Sequence, residues 1–315
     1  MRNLRGLILW LCFCIPAFGG GRILVIAPDH RDFSEAYDAI KANANDLTFQ
    51  RIVWTDTLSV QTGVQILSGF HPDLIVLLDN KSIRLYKQMI AIAKPVKNIP
   101  VVALMALQIE SVLSGMPSAV GISYEVPAVT TMSRLRILLN DSIQRVGVVY
   151  RGEMESFFTE NRRLCKIEHI ELIGSRVDES PITVETLQRS LNVLSESGHL
   201  DALWILNDNS LLTPQLIRDG WIPFMKNHPL PGVVGVETLL QTRLNLGTLA
   251  VVPDPTGLGA QAANLIYEAM DHGWAWDHSR IEKPLSVLEI MNLTMAHRVA
   301  RPRENVARLV DRVVE

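Results

Sequence analysis

Cysteine is scarce in this sequence of 315 residues: there are three, and Cys12 and Cys14 lie among the first twenty residues. If a cleaved leader removes those two, Cys165 in "NRRLCKIE" remains alone, which excludes an internal disulfide and a cysteine metal cluster. We expect Cys165 to pack on a helix face rather than act as a nucleophile, because no histidine motif accompanies it.

Long apolar runs and a strong excess of one charge are also missing. No apolar run of about 18 residues follows the first twenty positions, so we expect no membrane span in the mature chain. The formal net charge is -3, and losing Arg2 and Arg5 with a leader would make it -5. A mildly acidic chain lacks the basic surface by which nucleic acid or an anionic membrane is bound.

Signatures of catalysis are absent as well. The sequence has no G-x-S-x-G, no G-x-x-x-x-G-K-[ST] and no H-E-x-x-H, and "GLGAQA" matches only part of a dinucleotide-binding motif. The 8 histidines contain no i, i+4 pair, so we expect no metal site. These gaps predict a protein that is not an enzyme and has no cofactor. A two-lobed glycosyl-transfer enzyme stays open as an alternative.

The N-terminus has the pattern of an export signal over residues 1–19. Arg2 and Arg5 form a basic region, "GLILWLCFCIP" is a short apolar core, and "AFG" supplies small residues for cleavage near Gly19. The pattern predicts a periplasmic or otherwise exported protein. A membrane anchor or a buried first strand is the alternative. Leu11 and Phe13 precede the two cysteines, which disfavours a lipid anchor.

From Arg22 onward, short apolar runs alternate with amphipathic helical segments in two series. The first series has the strands "RILVIAP", "FQRIVWT", "DLIVLLD", "PVVALMA" and "AVGISYE", and the second has "RVGVVYR", "IELIGSR", "DALWILN" and "GVVGVE". Continuous rather than alternating hydrophobicity indicates strands buried on both faces, as in parallel sheets covered by helices. The sequence therefore predicts an α/β protein with two doubly wound parallel-sheet lobes. The second series is followed by the strand "TLAVVPD", a helix and the strand "LSVLEIMN". This addition at the end of a two-lobe chain indicates that the backbone crosses between the lobes more than once.

Polar residues that follow the strands are the candidate ligand-binding residues, because ligands of open parallel sheets bind beyond the carboxyl ends of the strands. These candidates are Asp29, His30, Asn80, Ser82, Ser123, Tyr124, Tyr150, Glu153, Ser156, Asp208, Asn209 and Glu237. Simpler roles compete: "DNKS" and "NDNS" also fit helix N-caps, His30 an exposed loop, and Glu153 with Ser156 the first turn of a helix.

Motifs of the second half resemble the ABC transporter substrate-binding proteins whose better-known members bind aromatic amino acids such as tryptophan. Tyr150, Glu153 and Ser156 match the family's Y-N-P-x-E-x-N-S loop, Asp208 and Asn209 its polar turn, and Gly259, Ala262 and Ala263 its G-x-x-G-x-x-A-A helix. In the first half "HPDLIVLL", "IPVVAL" and "AVGIS" resemble the family's strand starts. The resemblance covers most of 22–299.

The resemblance implies the type I periplasmic-binding-protein fold, with a ligand between two lobes and a hinge of three crossings. The crossings would lie near 140–144, 249–254 and 281–285. Lobe one would comprise 20–142 and 251–280, and lobe two 143–250 and 281–299. Independently of the resemblance, apolar residues at helical spacing predict a helical tail over 300–315, either docked on the body or binding a partner: Val306, Leu309, Val310 and Val313. "ALMALQIES" lacks the family's T-D-P turn, Asp79, Asn80 and Lys81 replace a small G-T turn, and Arg151 with Gly152 replaces N-P, so the pocket is expected to be altered.

These features together predict an exported solute-binding protein that closes over a small, polar, amino-acid-like ligand and delivers it to an ABC permease. In this hypothesis Ser82 and Ser123 hold an acceptor group, while Glu153, Asp208 and Asn209 meet an ammonium or hydroxyl group. Tyr124 and Tyr150 form an apolar wall. The alternative is a sensory or scaffold protein of the same fold, read by an envelope partner such as a histidine kinase.

Overall fold

The chain folds into two open sheets, each covered by helices. The structure is a computed structural model, and it describes residues 20–55, 58–93, 98–116, 118–244 and 246–314. The predicted signal peptide, residues 1–19, lies outside these ranges. Within them no helix is both long and apolar enough to cross a bilayer.

The first sheet has six parallel strands in the order β11-β5-β4-β3-β1-β2. Its strands are β1 (Arg22–Pro28), β2 (Thr48–Trp54), β3 (Leu74–Leu78), β4 (Val101–Leu104), β5 (Ala119–Ile122) and β11 (Arg280–Glu282). The helices α1 (Arg31–Asn43), α2 (Val60–Phe70), α3 (Asn80–Ala93), α4 (Ile109–Leu113) and α10 (Pro255–Asp271) cover it. All five residues of β3 are buried, as its unbroken apolar run predicts.

The second sheet has seven strands in the order β13-β12-β10-β9-β8-β6-β7, and only the β10–β12 pairing is antiparallel. Its strands are β6 (Arg145–Arg151), β7 (Glu171–Val177), β8 (Ala202–Ile205), β9 (Gly232–Val234), β10 (Leu249–Pro253), β12 (Val287–Asn292) and β13 (Arg312–Val314). Its helices are α5 (Ala128–Leu138), α6 (Glu155–Ile167), α7 (Val184–Glu196), α8 (Pro214–Leu216), α9 (Ile222–Asn227) and α11 (Leu293–Val299). A π-helical turn, Ile217–Trp221, joins α8 to α9. The predicted α/β class with two doubly wound lobes is confirmed.

The chain passes between the sheets three times. The first passage, 123–127, lies between β5 and α5, because α5 packs in the same core as β6 and donates its first amide, from Ala128, to Asn161 of α6 at 2.7 Å. This position differs from the predicted crossing at 140–144, which instead joins α5 to β6 within one lobe. The second passage is at Asp254 and the third lies between Glu282 and Val287. We therefore name 22–122 with 255–282 lobe one, and 128–253 with 287–314 lobe two.

The last residues do not form the predicted helical tail. One short 3-10 turn, Val306–Arg308, precedes β13, which pairs in parallel with β12. The helical spacing of Val306, Leu309, Val310 and Val313 was misleading, because β12 has a free edge that β13 covers. The backbone amide of Asp311 donates to the carbonyl of Glu289 at 2.9 Å, which begins this pairing.

Hydrogen bonds tie the three passages to one another. The Ser123 amide donates to the Glu282 carbonyl at 2.9 Å, and the Asp254 amide donates to the Ser286 carbonyl at 3.1 Å. The side chain of Gln261, buried on α10, donates to the Lys283 carbonyl at 3.0 Å and accepts from the Leu285 amide at 3.2 Å. The passages therefore form one bonded bundle beside the cleft between the lobes.

Candidate ligand-binding cleft

The carboxyl ends of the parallel strands of both lobes border a cleft made of three joined hollows. The apolar recess lies in the middle and shares Glu125, Met154 and Phe157 with the outer basin on one side. It shares Tyr124, Asn207 and Gly235 with the charged compartment on the other. The cavity volumes are about 640 Å³ for the outer basin, 30 Å³ for the recess and 370 Å³ for the charged compartment.

The apolar recess is built mainly from lobe two. Buried Trp204 on β8 and half-buried Phe157 on α6 have ring centroids 5.7 Å apart with planes tilted by 35°. The other apolar walls are Val126, Met154, Leu206, Val234 and Val251. Among the residues that the structure describes, Glu125 is the one charged side chain lining the recess. An aromatic pair beside a carboxylate can hold a group that is both cationic and partly apolar.

Glu125 is fixed in place by lobe one and the first passage. Its Oε1 accepts the backbone amide of Gln108 at 2.6 Å, and its Oε2 accepts the Ser123 hydroxyl at 3.0 Å. Gln108 precedes α4 in a left-handed conformation with φ 50°. A carboxylate has about four lone-pair positions, so each oxygen keeps room for a further donor.

The charged compartment brings α1 of lobe one against lobe two. Arg31 pairs with Glu35 at 2.7 Å, and Arg312 on β13 pairs with Glu237 at 2.8 Å. Asp32 lines the same hollow and has no hydrogen bond or ion pair to any residue that the structure describes. Three carboxylates against two guanidinium groups leave this compartment acidic.

Tyr124 lies where the recess meets the charged compartment. Burial raises the pKa of its phenol to about 12, and the negative charges of Asp32 and Glu237 add to the shift. The phenol therefore stays protonated at neutral pH and can donate a hydrogen bond to a ligand or accept one from it.

The outer basin is lined by polar side chains of both lobes. Glu153 and Ser156 come from lobe two, and Ser111, Ser123 and Lys283 lie on the facing side. Glu153 is 70% exposed and pairs with Arg151 at 2.9 Å. The basin thus offers exposed polar groups around a space large enough for a small organic molecule.

Three solved structures share this architecture over almost the whole chain. The ABC domain from Streptococcus pneumonia in complex with L-Trp is 15% identical to this chain and covers 93% of it and 100% of its own length, with a TM-score of 0.56. A substrate binding protein with adhesive properties from Clostridium difficile, in its ligand-free, open structure, is 12% identical, with coverages of 93% and 99% and a TM-score of 0.64. A periplasmic ribose ABC transporter structure from Conexibacter woesei is 18% identical, with coverages of 89% and 94% and a TM-score of 0.52.

These likenesses decide the fold. The chain has the type I periplasmic-binding-protein fold. The fold that the sequence resemblance implied is therefore confirmed. No protein-family model and no curated protein matches the chain.

In this periplasmic-binding-protein fold, five of the twelve predicted ligand residues line the cleft. They are Ser123, Tyr124, Glu153, Ser156 and Glu237. Asp29 and His30 are exposed just before α1, and His30 caps that helix through its backbone alone while its ring meets Phe33 edge to face. Neither borders any of the three hollows.

Asn80 and Ser82 serve the local structure of lobe one. The Asn80 amide group donates to the Leu107 carbonyl and accepts from the Leu107 amide, both at 2.8 Å. The Ser82 hydroxyl is fully buried, donates to the Leu78 carbonyl at 2.9 Å and borders none of the three hollows. Asn80 joins the turns after β3 and β4, while Asp79, the first residue of "DNKS", caps α3 by accepting the Ser82 amide at 2.7 Å.

Tyr150 packs in the core of lobe two instead of forming a cleft wall. Its ring stacks on Phe158 with centroids 4.3 Å apart, and its hydroxyl donates to Glu155 at 3.0 Å. Burial, followed by the Glu155 carboxylate, raises the pKa of this phenol. The aromatic wall of the cleft comes from Trp204 and Phe157, which sequence reasoning missed because both lie inside a strand or helix instead of after a strand.

Asp208 is buried and bound to the protein itself. Its Oδ2 accepts from Arg151 Nε at 2.7 Å and its Oδ1 accepts from the Ser210 amide at 2.8 Å. Asn209 is exposed and borders none of the three hollows. Asn207, one position earlier, lines both the recess and the charged compartment, and its side chain bonds to no residue that the structure describes. The "NDNS" turn therefore reaches the cleft through its first residue.

Among the residues that the structure describes, no three His, Cys, Asp or Glu side chains are placed to hold a metal ion. Cys165 is buried on α6, as predicted, and burial raises the pKa of its thiol to about 11. A thiol with that pKa is a weak nucleophile at neutral pH.

Proposed function

We propose that this protein is an exported solute-binding protein, which captures a small, polar, amino-acid-like molecule between its lobes and delivers it to an ABC permease. The observation that carries this proposal is the cleft itself, where aromatic, amide and carboxylate side chains of both lobes converge. Ligand sites of open parallel sheets lie at this edge. The similarity to solute-binding structures supports the same role.

The proposed ligand contacts come from lobe two and from the first passage, where Glu125 is bonded to the Gln108 amide of lobe one. Trp204 and Phe157 form the apolar wall, Glu125 and Glu237 accept from ligand donors, and the free amide of Asn207 can both donate and accept. Tyr124, Glu153 and Ser156 complete the set at the borders of the recess and in the outer basin. Asp208, Ser82 and Tyr150 hold the scaffold on which these contacts depend.

Closure follows from contacts that a ligand makes to both lobes at once. Such a ligand binds the closed form more tightly than the open form and shifts the population toward it. The three passages would absorb the rotation, since each is a short segment at the end of a strand or helix. The closed form is then the state that a permease recognises.

Export is part of this proposal. The basic, apolar and small-residue regions of residues 1–19 support a cleavable signal, and a permease partner requires delivery outside the inner membrane. No lipid anchor, lasting membrane insertion or nucleic-acid partner is proposed.

A sensory or scaffold role is the second candidate, and the turns of lobe one favour it. The polar side-chain groups of Asn80 and Ser82 are hydrogen-bonded within the protein. Lobe one therefore offers a ligand few polar contacts beyond the residues of α1 and the first passage. In that role the cleft would bind no ligand, and an envelope partner, such as a histidine kinase, would bind the surface of the protein.

A ligand screen tests the proposal. Thermal unfolding of the purified protein is followed in the presence of amino acids, amines, sugars, small acids and nucleotide sugars. We expect at least one compound to raise the melting temperature, because a ligand at 100 times its Kd adds about 2.7 kcal/mol of stability. Trp204→Ala should abolish the shift. Asp219→Asn, which removes a carboxylate from the π-helical turn between α8 and α9, should keep it. A screen without any shift would favour the scaffold role, and turnover of a nucleotide sugar would favour an enzyme.

A further inference from the structure

The apolar recess is the size of one small chemical group. Its volume of about 30 Å³ exceeds the ~10–15 Å³ that a bound water molecule needs, and it is the smallest of the three hollows. An ammonium group fits in that space. The adjoining outer basin, at about 640 Å³, is large enough for the rest of a small molecule.

The charges around the recess select the sign of that group. Among the described residues Glu125 is the one charged side chain in its walls, and Trp204 and Phe157 line it with aromatic rings, whose faces carry partial negative charge. A cation that leaves water needs a paired charge to offset the cost of desolvation, and Glu125 supplies one. An anion in the same position would meet a carboxylate with no basic side chain lining the recess.

We propose that the recess is a socket for a primary ammonium group, and that the solute is an organic amine whose body lies in the outer basin. This assignment rests on the proposed solute-binding function and, within it, favours an amine over the amino-acid-like ligand. The ammonium donates to Glu125 and to the side-chain oxygen of Asn207, which has no bond to any described residue. The rings of Trp204 and Phe157 cover its remaining face.

The wider cleft favours the same sign of charge. Its acidic residues are Asp32, Glu35, Glu110, Glu125, Glu153 and Glu237, against the basic residues Arg31, Lys283 and Arg312. Six negative and three positive side chains give the cleft a formal charge of about -3, by the count of ordinary ionisation states. A cleft with this excess raises the local concentration of cations and speeds their association.

An α-amino acid is disfavoured by the position of its own carboxylate. That group is two bonds from the ammonium nitrogen, so it would lie at the mouth of the recess close to Glu125. Among the described residues Lys283 is the one basic side chain that lines the outer basin, and it is exposed to solvent, where an ion pair with a ligand carboxylate contributes little. The site therefore separates amines from amino acids.

Four indole compounds test the inference on the unaltered protein by calorimetry at pH 7. Tryptamine carries a primary ammonium, L-tryptophan adds a carboxylate, indole-3-propionate has only the carboxylate, and N,N,N-trimethyltryptammonium has a bulky cation. We expect tryptamine to bind at least tenfold more tightly than each of the other three. Equal or tighter binding of any of them overturns the ammonium socket, and so does the absence of tryptamine binding.

Two variants test whether the carboxylate that binds the ammonium group is that of Glu125. Glu125→Gln keeps an acceptor for the Gln108 amide and removes the negative charge, so tryptamine should bind at least tenfold more weakly. Asp219→Asn removes a surface carboxylate that pairs only with Arg218 and should leave tryptamine binding unchanged. Equal affinity of Glu125→Gln and the unaltered protein would overturn the inference.

The broad ligand screen separates this inference from the proposed function. A hit that is not an amine would refute the socket and leave the solute-binding function standing, whereas no hit at all would refute both.

Discussion

At the scale of single residues, a polar side chain at the end of a strand can face a ligand or its own protein, and "NDNS" contains both kinds. Asn207 lines the cleft, while the side chain of Asp208 is only 2% exposed and bonds to Arg151 and the Ser210 amide. The sequence placed these residues at the right edge of the sheet. It could not assign their directions, because a turn lacks the regular alternation of a strand.

Asp208 is expected to contribute mainly to the stability of the fold. Asp208→Ala leaves the Arg151 guanidinium, 21% exposed, without its buried partner, so we expect a loss of about 3 kcal/mol, as for other broken buried pairs. Glu153→Ala removes the second carboxylate bound to the same arginine, but Glu153 is 70% exposed and its loss should cost less than about 1 kcal/mol. Urea-induced unfolding measures both changes. Equal losses in the two variants would contradict the buried role of Asp208.

Asp79 shows how this chain departs from the family that it resembles. Its φ of 97° lies in the left-handed region, where a small residue such as glycine has least strain, and the family usually has a small turn here. Asp79 accepts the Ser82 amide at 2.7 Å and thereby starts α3, yet burial raises the pKa of its carboxyl. The aspartate therefore stabilises the helix start at the expense of backbone strain and desolvation.

At the scale of helices and strands, close packing between lobe-one helices explains the Gly259 position of the G-x-x-G-x-x-A-A match. A Cβ at Gly259 on α10 would lie 2.4 Å from the Ala36 carbonyl oxygen and 2.7 Å from the Ala39 Cβ on α1. Since a backbone carbonyl cannot turn aside as a side chain can, the two helices would have to separate. Glycine is required there by the contact.

Gly259→Ala should therefore destabilise lobe one by about 1–3 kcal/mol, the usual cost of overpacking, although alanine favours helices. Gly69→Ala is the matched control, because Gly69 lies in α2 of the same lobe and no atom is within 4 Å of its added Cβ. That variant should gain up to about 1 kcal/mol. Urea-induced unfolding of the whole protein measures the free energy of unfolding of both variants. A gain in both would show that α1 and α10 are not in tight contact.

Elements with a full apolar pattern could be predicted from the sequence, whereas short edge elements could not. β1 and β6 have the predicted bounds, 22–28 and 145–151, because their centres are buried on both faces. β11 and β13 have three residues each and are partly exposed, so they carry no hydrophobic signal and exist because a free strand edge accepts them. Five predicted site residues line the cleft, but its aromatic wall lies within elements and depends on how the lobes face each other.

At the scale of the whole molecule, the two lobes have separate cores. Two hydrophobic clusters lie in lobe one and two in lobe two, and α5 belongs with the strands of lobe two. Apart from Val126 of the first passage, the buried residues of each cluster in the described chain come from one lobe, so the rotation that the proposed function requires would leave each core intact. The hydrogen bonds among the three passages would confine that rotation to an axis beside the cleft.

Solution scattering should therefore show a smaller radius of gyration when a ligand from the thermal screen saturates the protein. The decrease is expected because the proposed ligand would contact both Asn207 of lobe two and Glu125, which the Gln108 amide of lobe one holds. Trp204→Ala at the same ligand concentration should keep the radius of the unbound protein, since it lacks the apolar wall that the ligand contacts. If the ligand raised the melting temperature without any change in radius, the lobes would bind without closing, and the three passages would act as a rigid brace and not as a hinge.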